Sequence, residues 1–209
     1  MESGKIIAVL ARLLRDVGQA EELAQDALVL ALEKWPAAGV PEQPAAWLTT
    51  VAKNRALDVL RRRRLHQDRE AQLAYEIEGQ LQDAAPDLEA AAVDALEDDI
   101  GDDLLRLVFV ACHPLLPPEG RVALTLRMLG GLSTEDIARA FLVPEATVAQ
   151  RIVRAKRTLA EAKVPFEAPH AHELAERLAS VLQVIYLIYN EGYAASAGAG
   201  NNLSEAKSR

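Results

Sequence analysis

Between His66 and Asp103 the sequence carries thirteen acidic residues and a single basic one, Arg69. The middle of this stretch, "GQLQDAAPDLEA", holds a glycine, a proline and little apolar material. A segment of low hydrophobicity and high net charge cannot bury enough surface to offset the entropy of ordering it. The chain therefore cannot fold around one core that includes this stretch. Its expected role is a flexible acidic linker over residues 66–103, with at most transient helix, between two smaller domains. The linker carries −12, and since the whole chain sums to −8 the remaining residues carry +4. Both flanking segments can thus meet a polyanion even though the protein is acidic on average.

Both flanks read as helices. Half of the 209 residues are hydrophobic but only 4% are aromatic, so the cores are built from Ala, Leu, Val and Ile, a helical palette. In "IIAVLARLLRDV" the residues Ile6, Val9, Leu10, Leu13, Leu14 and Val17 fall on one face at three- and four-residue spacing. "QAEELAQDALVLALEKW" repeats the pattern with Leu23, Ala27, Leu30 and Ala31, and places Glu21 and Glu22 near its start, where the helix dipole favours negative charge. "PAAGVPEQP", residues 36–44, reads as a loop because prolines and a glycine interrupt it. "AAWLTTVAKNRALDVLRRRR" then predicts one long helix with Trp47, Leu48, Val51, Ala52, Leu57 and Leu60 inward.

After the acidic stretch, "DDLLRLVFVACHPLL" is apolar, "PPEG" predicts a turn, and "RVALTLRMLGG" predicts a helix that ends at two glycines. In "LSTEDIARAFLVPEATVAQRIVRAKRTLAEA", Ser133 or Thr134 can cap a short helix with Glu135 and Asp136 in its first turn. That helix turns Ile137, Ala138 and Phe141 inward, and the next buries Val148, Ile152, Ala155 and Leu159. Two such helices joined by the short "LVPE" connection make a helix-turn-helix. "HELAERLASVLQVIYLIYNEGYAAS" predicts a further apolar-striped helix, whose Leu178, Leu182, Ile185, Tyr186 and Tyr189 would fold back on the preceding helices, pair with another chain or remain an exposed apolar patch, and the small, polar "AGAGNNLSEAKSR" predicts a disordered tail. No strand pattern occurs, so the expected fold is all-α: two small helical domains joined by an acidic linker.

Two surfaces suggest chemistry. The second helix of the helix-turn-helix presents Thr147, Gln150, Arg151, Arg154 and Arg157 away from its buried stripe, with Lys156 at the margin. Reading the major groove requires long donors on the outer face of a helix, because base edges offer N7, O6 and N6 there. The same pattern also suits an ordinary helix pair with a solvated basic face. In the first segment Lys53, Asn54 and Arg55 are read as an outer-face cluster, continued by Asp58, Arg61 and Arg62. Cations there can neutralise phosphates and Asn can read adenine, although helix C-termini favour arginines in any case. Trp47 fits a core role better than stacking on a base.

Other chemistries find no support. The single cysteine, Cys112, excludes an internal disulfide and suits a reducing cytoplasm. Cys112 and His113 are adjacent without further ligands at metal-binding spacing, so no metal site is expected. There is no nucleophile–base pair and no glycine-rich phosphate loop, so no enzyme activity and no cofactor are expected. The amino terminus lacks the pattern of a signal peptide, and the longest apolar run, "VIYLIY", is far shorter than the ~20 residues of a membrane span. A cytoplasmic location is expected.

Together, "AEELAQDALVLALEKW…PAAWLTTVAKNRALDVLRRRR" resembles region 2, and "LSTEDIARAFLVPEATVAQRIVRAKRTL" resembles region 4, of the sigma-70 family in its compact extracytoplasmic-function form. The order of the two, joined by an acidic linker with no intervening domain, fits that group. "VIYLIYNEGYAAS" further resembles a subgroup with a C-terminal helical extension, whose continuation "AGAGNNLSEAKSR" does not match. The resemblance implies domains at 1–65 (region 2), 66–103 (linker), 104–164 (region 4) and 165–209 (start of the extension and tail). It implies no catalysis but a promoter-specificity subunit that binds core RNA polymerase and promoter DNA. Glu22, Gln25 and Asp26 would dock on the β′ clamp, and the loop "AAGVPEQPAA" would receive a flipped base. Lys53, Asn54, Arg55, Asp58, Arg61 and Arg62 would meet the −10 element. Thr147, Gln150, Arg151, Arg154 and Arg157 would read the −35 element, with region 4 on the β flap. The linker would lie in the RNA exit path or shield the basic helices in the free protein. An anti-sigma protein or the extension itself would regulate. The competing readings are a helix-turn-helix regulator that acts without polymerase docking and a helical scaffold whose basic faces are incidental.

Overall fold

The computed structural model describes the backbone of residues 2–77 and 100–205, and side-chain surroundings for residues 3–67 and 102–190. Among the described residues there are eight helices and no strand. They fall into two compact units, one of Glu2 and Ile6–Gly101 and one of Asp102–Arg209 with Ser3–Lys5.

The first unit holds α1 (Glu2–Leu14), α2 (Val17–Ala38) and α3 (Pro44–Ile77). Asp16 caps α2, its carboxylate accepting the Gln19 N–H at 3.0 Å. Glu21 and Glu22 lie beyond the first turn, so Asp16 is the anion that complements this helix end. The face of α2 that is buried is a stripe of alanines, Ala20, Ala24, Ala27 and Ala31, and the buried residues of α3 include Ala52 and Ala56. Leu23 and Leu30, expected inward, are half-buried at the margin. Small side chains allow two helix axes to approach closely, which moves the larger leucines to the edges of the contact.

The loop expected at 36–44 is shorter. Helix α2 continues through Pro36 to Ala38, and Gly39, at φ +84°, donates its N–H to the Trp35 carbonyl at 2.9 Å. A positive φ ends a helix without penalty only at glycine. Pro44 opens α3, where its missing N–H costs nothing. At the far end, α3 does not stop near residue 65. It runs on to Ile77 over the first part of the expected linker, because residues 66–77 contain neither glycine nor proline and are mostly good helix formers. The last residues of the expected linker, 100–103, open the next helix, and residues 78–99 lie outside the described residues.

The second unit holds α4 (Ile100–Ala111), α5 (Pro118–Met128), α6 (Thr134–Ala140), α7 (Glu145–Glu161) and α8 (Leu174–Glu205). "PPEG" is less of a turn than expected, since Pro118 sits at the first helical position of α5 and the following residues form its first turn. Two glycines end that helix as expected. A Cβ at Gly130 would lie 2.6 Å from the Leu126 carbonyl oxygen, and Gly131 has φ +67°. Leu107, Leu124, Met128 and Ile137 are almost fully buried, as are the α7 residues Val148, Ile152, Ala155 and Leu159.

Helix α8 docks on this core through Val181 and Val184, which cluster with Phe109, Cys112 and Val122. Arg121, 9% exposed, donates to the Leu116 carbonyl (2.9 Å), Ser180 Oγ (2.6 Å) and Gln183 Oε1 (3.1 Å). Ser180 Oγ in turn donates to the Cys112 carbonyl. Arg177 donates to the Phe109 carbonyl at 2.9 Å. The other stripe does not fold back on these helices: Leu178, Leu182, Ile185, Tyr186 and Tyr189 are 46–70% exposed. Helix α8 also continues to Glu205 over most of the tail expected to be disordered. Residues 206–209 lie outside the described residues.

Candidate nucleic-acid interface

The helix-turn-helix is built by α6 and α7. Ser133 is the cap rather than Thr134, and it forms a full capping box with Asp136. Ser133 Oγ accepts the Asp136 N–H at 3.0 Å while the Asp136 carboxylate accepts the Ser133 N–H at 3.4 Å. The Ser133 hydroxyl also donates to the Asp136 carboxylate at 2.6 Å, and this bond, followed by the one from the Ser133 N–H, holds the Asp136 carboxyl below its ordinary pKa, with Arg139 adding to the effect. Leu142 turns the chain at φ +51° and Pro144 precedes α7.

With Val148, Ile152, Ala155 and Leu159 buried, the remaining residues of α7 are ordered by the turn of about 100° per residue. Of the five expected reader residues, Gln150 and Arg157 point furthest from the core, Arg154 lies between them and the flank, and all three are exposed. Arg157 is engaged by Glu161 at 3.5 Å. Gln150 and Arg154 have no side-chain partner among the described residues. Thr147 and Arg151 lie on one flank and are half-buried. Arg151 there lines a pocket of about 190 Å³ together with Val122, Ile137, Phe141, Val148 and, from α8, Leu187. The five expected reader residues are therefore not equivalent. Two are exposed without a partner among the described residues, one is paired with its own helix, and two are half-buried to the side.

In the first unit the basic helix is less of a single face than expected. Consecutive residues diverge by about 100°, so Lys53, Asn54 and Arg55 fan around α3 rather than cluster. Asn54, Asp58 and Arg61 share the outer face, Arg55 and Arg62 lie on the flank towards α2, and Lys53 on the other flank. Arg61 meets Asp58 at 3.5 Å. Arg55 reaches across to α2 and pairs with Asp26 at 2.9 Å. Arg63 is committed inward: it donates to Gln19 Oε1 at 2.7 Å and to the Leu14 carbonyl at the end of α1 at 3.5 Å. Lys53, Asn54 and Arg62 have no side-chain partner among the described residues. Next to this helix, half-buried Trp47 meets Trp35 edge to face, with centroids 5.6 Å apart.

On α2, Glu22 and Asp26 are exposed and Gln25 is half-buried. The same outer face carries Val29 and Leu32, 52% and 75% exposed. Sequence periodicity did not single these two out, because both sit in an apolar run, "ALVLAL", that reads as core until the alanines are known to be the buried side. Cys112 is buried beside Thr125 Oγ1 at 3.4 Å, and burial raises its thiol pKa. Among the described residues no group of three or more His, Cys, Asp or Glu could hold a metal ion, and no helix is long and apolar enough to cross a membrane.

Comparison with known proteins gives two family matches in chain order: residues 2–66 match Sigma-70 region 2, and residues 106–159 match Sigma-70, region 4. An uncharacterized protein of Rhizobium meliloti is 46% identical over 193 residues, which cover 92% of this chain but 44% of that protein. The chain thus spans less than half the length of this relative. The RNA polymerase sigma-H factor of Pseudomonas aeruginosa is 32% identical over 77% of this chain and 81% of its own length. The extracytoplasmic-function sigma factor SigK of Mycobacterium ulcerans is 28% identical over 74% of this chain and 78% of its own length.

Proposed function

The chain belongs to the extracytoplasmic-function group of the sigma-70 family of RNA polymerase sigma factors, and from that premise we propose that it brings core polymerase to its promoters by dividing the work between its two units. The observation that carries this reading is the pair of units themselves, matching regions 2 and 4 in order, each with unpartnered polar or basic groups on an outer helix face. A member of this family acts by binding and does no covalent chemistry.

In the second unit, α7 reads the −35 duplex. Arg154 and Gln150 contact base edges, since both are exposed and have no partner among the described residues. Arg151 and Thr147 contact the backbone or base edges from the flank, and Arg157 must release Glu161 to reach a phosphate. In the first unit, Lys53, Asn54, Arg61 and Arg62 of α3 meet the −10 element, with Asp58 as the partner that holds Arg61. The short turn after Gly39 receives an extruded base, whose unstacking costs a few kcal/mol. The outer face of α2 docks on the polymerase β′ clamp through Glu22, Gln25 and Asp26, with Val29 and Leu32 supplying apolar contact. Region 4 meets the β flap. An anti-sigma protein or a C-terminal extension regulates it.

A helix-turn-helix regulator acting alone would leave the exposed apolar and acidic face of α2 without a use. Run-off transcription with core polymerase on genomic promoter fragments tests the proposal. Promoter-dependent transcripts that weaken with Arg154→Ala are expected. A well-folded protein that supports no transcript from any fragment, yet binds duplex DNA, favours the lone regulator instead.

A further inference from the structure

The ion pair between Arg55 and Asp26 joins two surfaces that have separate jobs. Asp26 lies on the outer face of α2 among Glu22, Val29 and Leu32, and its side chain is 58% exposed. Arg55 projects from α3 on the flank it shares with Arg62, and its side chain is 35% exposed. The two groups meet at 2.9 Å. Arg63, two turns further along α3, makes a comparable crossing to Gln19, but that crossing also satisfies a backbone carbonyl at the end of α1. The Arg55–Asp26 pair has no such backbone component.

Solvent-exposed ion pairs contribute little net free energy, so they exchange partners when a competing charge arrives. A carboxylate on a docking surface is recognised by cations or donors of its partner, and a guanidinium beside a nucleic-acid groove by phosphate. Neither Asp26 nor Arg55 can serve its outside partner fully while it holds the other.

We infer that the Asp26–Arg55 pair couples the two halves of the first unit: engagement of Asp26 by the polymerase frees Arg55 for the −10 strand, and in the free protein Asp26 withholds it. Arg55 is thus a gated DNA contact, and Asp26 is a positioning residue for it as well as a docking residue. This rests on the reading of α2 and α3 given above. Coupling between two binding sites is reciprocal. The same pair therefore holds back polymerase docking until Arg55 lets go.

That reciprocity gives a test with two independent readouts, made on the full chain with Asp26→Asn, Arg55→Gln and the double variant, each checked for unchanged thermal unfolding. The first readout is affinity of the free protein for a fluorescent single-stranded DNA oligonucleotide of mixed sequence. Asp26→Asn should tighten binding on the order of two- to fivefold, the range an exposed ion pair allows. Arg55→Gln should abolish that gain in the Asp26→Asn background and change nothing in the wild type. A gain that survives Arg55→Gln is a general charge effect and overturns the gate. Equal losses from Arg55→Gln in both backgrounds overturn it as well.

The second readout is affinity for core RNA polymerase. Here Arg55→Gln, a change away from the docking face, should tighten binding by a similar factor, while Asp26→Asn weakens it. Unchanged or weaker core binding by Arg55→Gln overturns the coupling. Failure of the underlying reading has a different signature. If Glu22→Ala and Asp26→Asn both leave core binding unchanged, α2 is not the docking face. If Lys53→Ala and Arg62→Ala both leave DNA binding unchanged, α3 is not the DNA face. In either case the coupling falls with the surface.

Discussion

Leu142 holds φ at +51° in the turn of the helix-turn-helix and exposes 86% of its surface. An L-residue with a side chain pays a steric penalty in this region that glycine does not. Because Leu142 buries almost nothing there, Leu142→Gly should stabilise the second unit by about 0.5–1 kcal/mol, measured by denaturant unfolding. A decrease would mean that the exposed side chain has a packing role. Ser133 is a second single-residue determinant. Ser133→Ala removes the hydroxyl half of the capping box, leaving only the backbone N–H to Asp136 bond, and should cost about 1 kcal/mol, read by the same unfolding experiment. On the DNA-facing side, Arg154→Ala should cost about 1–3 kcal/mol and relax specificity at one −35 position, whereas Arg62→Ala should weaken binding evenly across sequences and lower the salt slope by about one. Binding titrations over a range of salt concentrations on promoter variants separate the two outcomes.

At the scale of the element, the docking of α8 depends on a buried cation. Arg121 is held by three neutral acceptors, on Leu116, Ser180 and Gln183. Arg121→Ala leaves the carbonyl and the Gln183 amide oxygen without this donor and should cost about 2–3 kcal/mol, since hydrogen bonds to charged groups are the stronger kind. Arg121→Met, which keeps volume and removes the charge, should be milder. Denaturant melts of both variants test this, and equal losses would mean that packing volume is not what separates them. Between α2 and α3 the determinant is smallness. Ala27 is fully buried, and Ala27→Leu should overpack the helix contact and cost about 1–3 kcal/mol, whereas leucine is the residue that periodicity alone would have favoured there.

For the whole molecule, pH is the sharper probe. Burial lowers the pKa of His113 from 6.5 to about 4, with Arg177 adding to the effect and Glu173 opposing it. Its Nδ1 accepts the Leu115 N–H at 3.2 Å, a bond that only the unprotonated nitrogen can make. The unfolded chain takes up a proton near 6.5 while the folded protein resists until about 4, so the unfolded state binds more protons across that window and stability falls as pH falls through it. The loss is on the order of 1 kcal/mol, well below the bare shift because half of the ring remains near solvent. Thermal unfolding of the full chain at pH 7 and pH 5, set beside His113→Gln, should show a smaller pH dependence in the variant. Asp136 acts in a lower window: its depressed pKa adds cap stability above 3.8 that is lost as pH falls through the folded value.

The sequence by itself determined what depends on local periodicity and composition. The buried α7 stripe of Val148, Ile152, Ala155 and Leu159, the glycine stop of α5 and the helix-turn-helix signature all follow from residues within a few turns of one another. Tertiary structure decided what depends on which of two apolar faces meets a neighbour. On α2 the alanines won over the leucines because close approach requires small side chains, and that left Val29 and Leu32 outside. On α8 Val181 and Val184 were buried and Leu182, Ile185 and Tyr186 were not, because Arg121 and Arg177 fix the rotation of the helix from other positions. The row of arginines is the clearest case. Arg61, Arg62 and Arg63 are one residue type in one run, yet the first meets Asp58, the second has no partner among the described residues and the third closes the end of α1. Those three fates differ because successive residues point about 100° apart, and only the packed helices decide what lies in each direction.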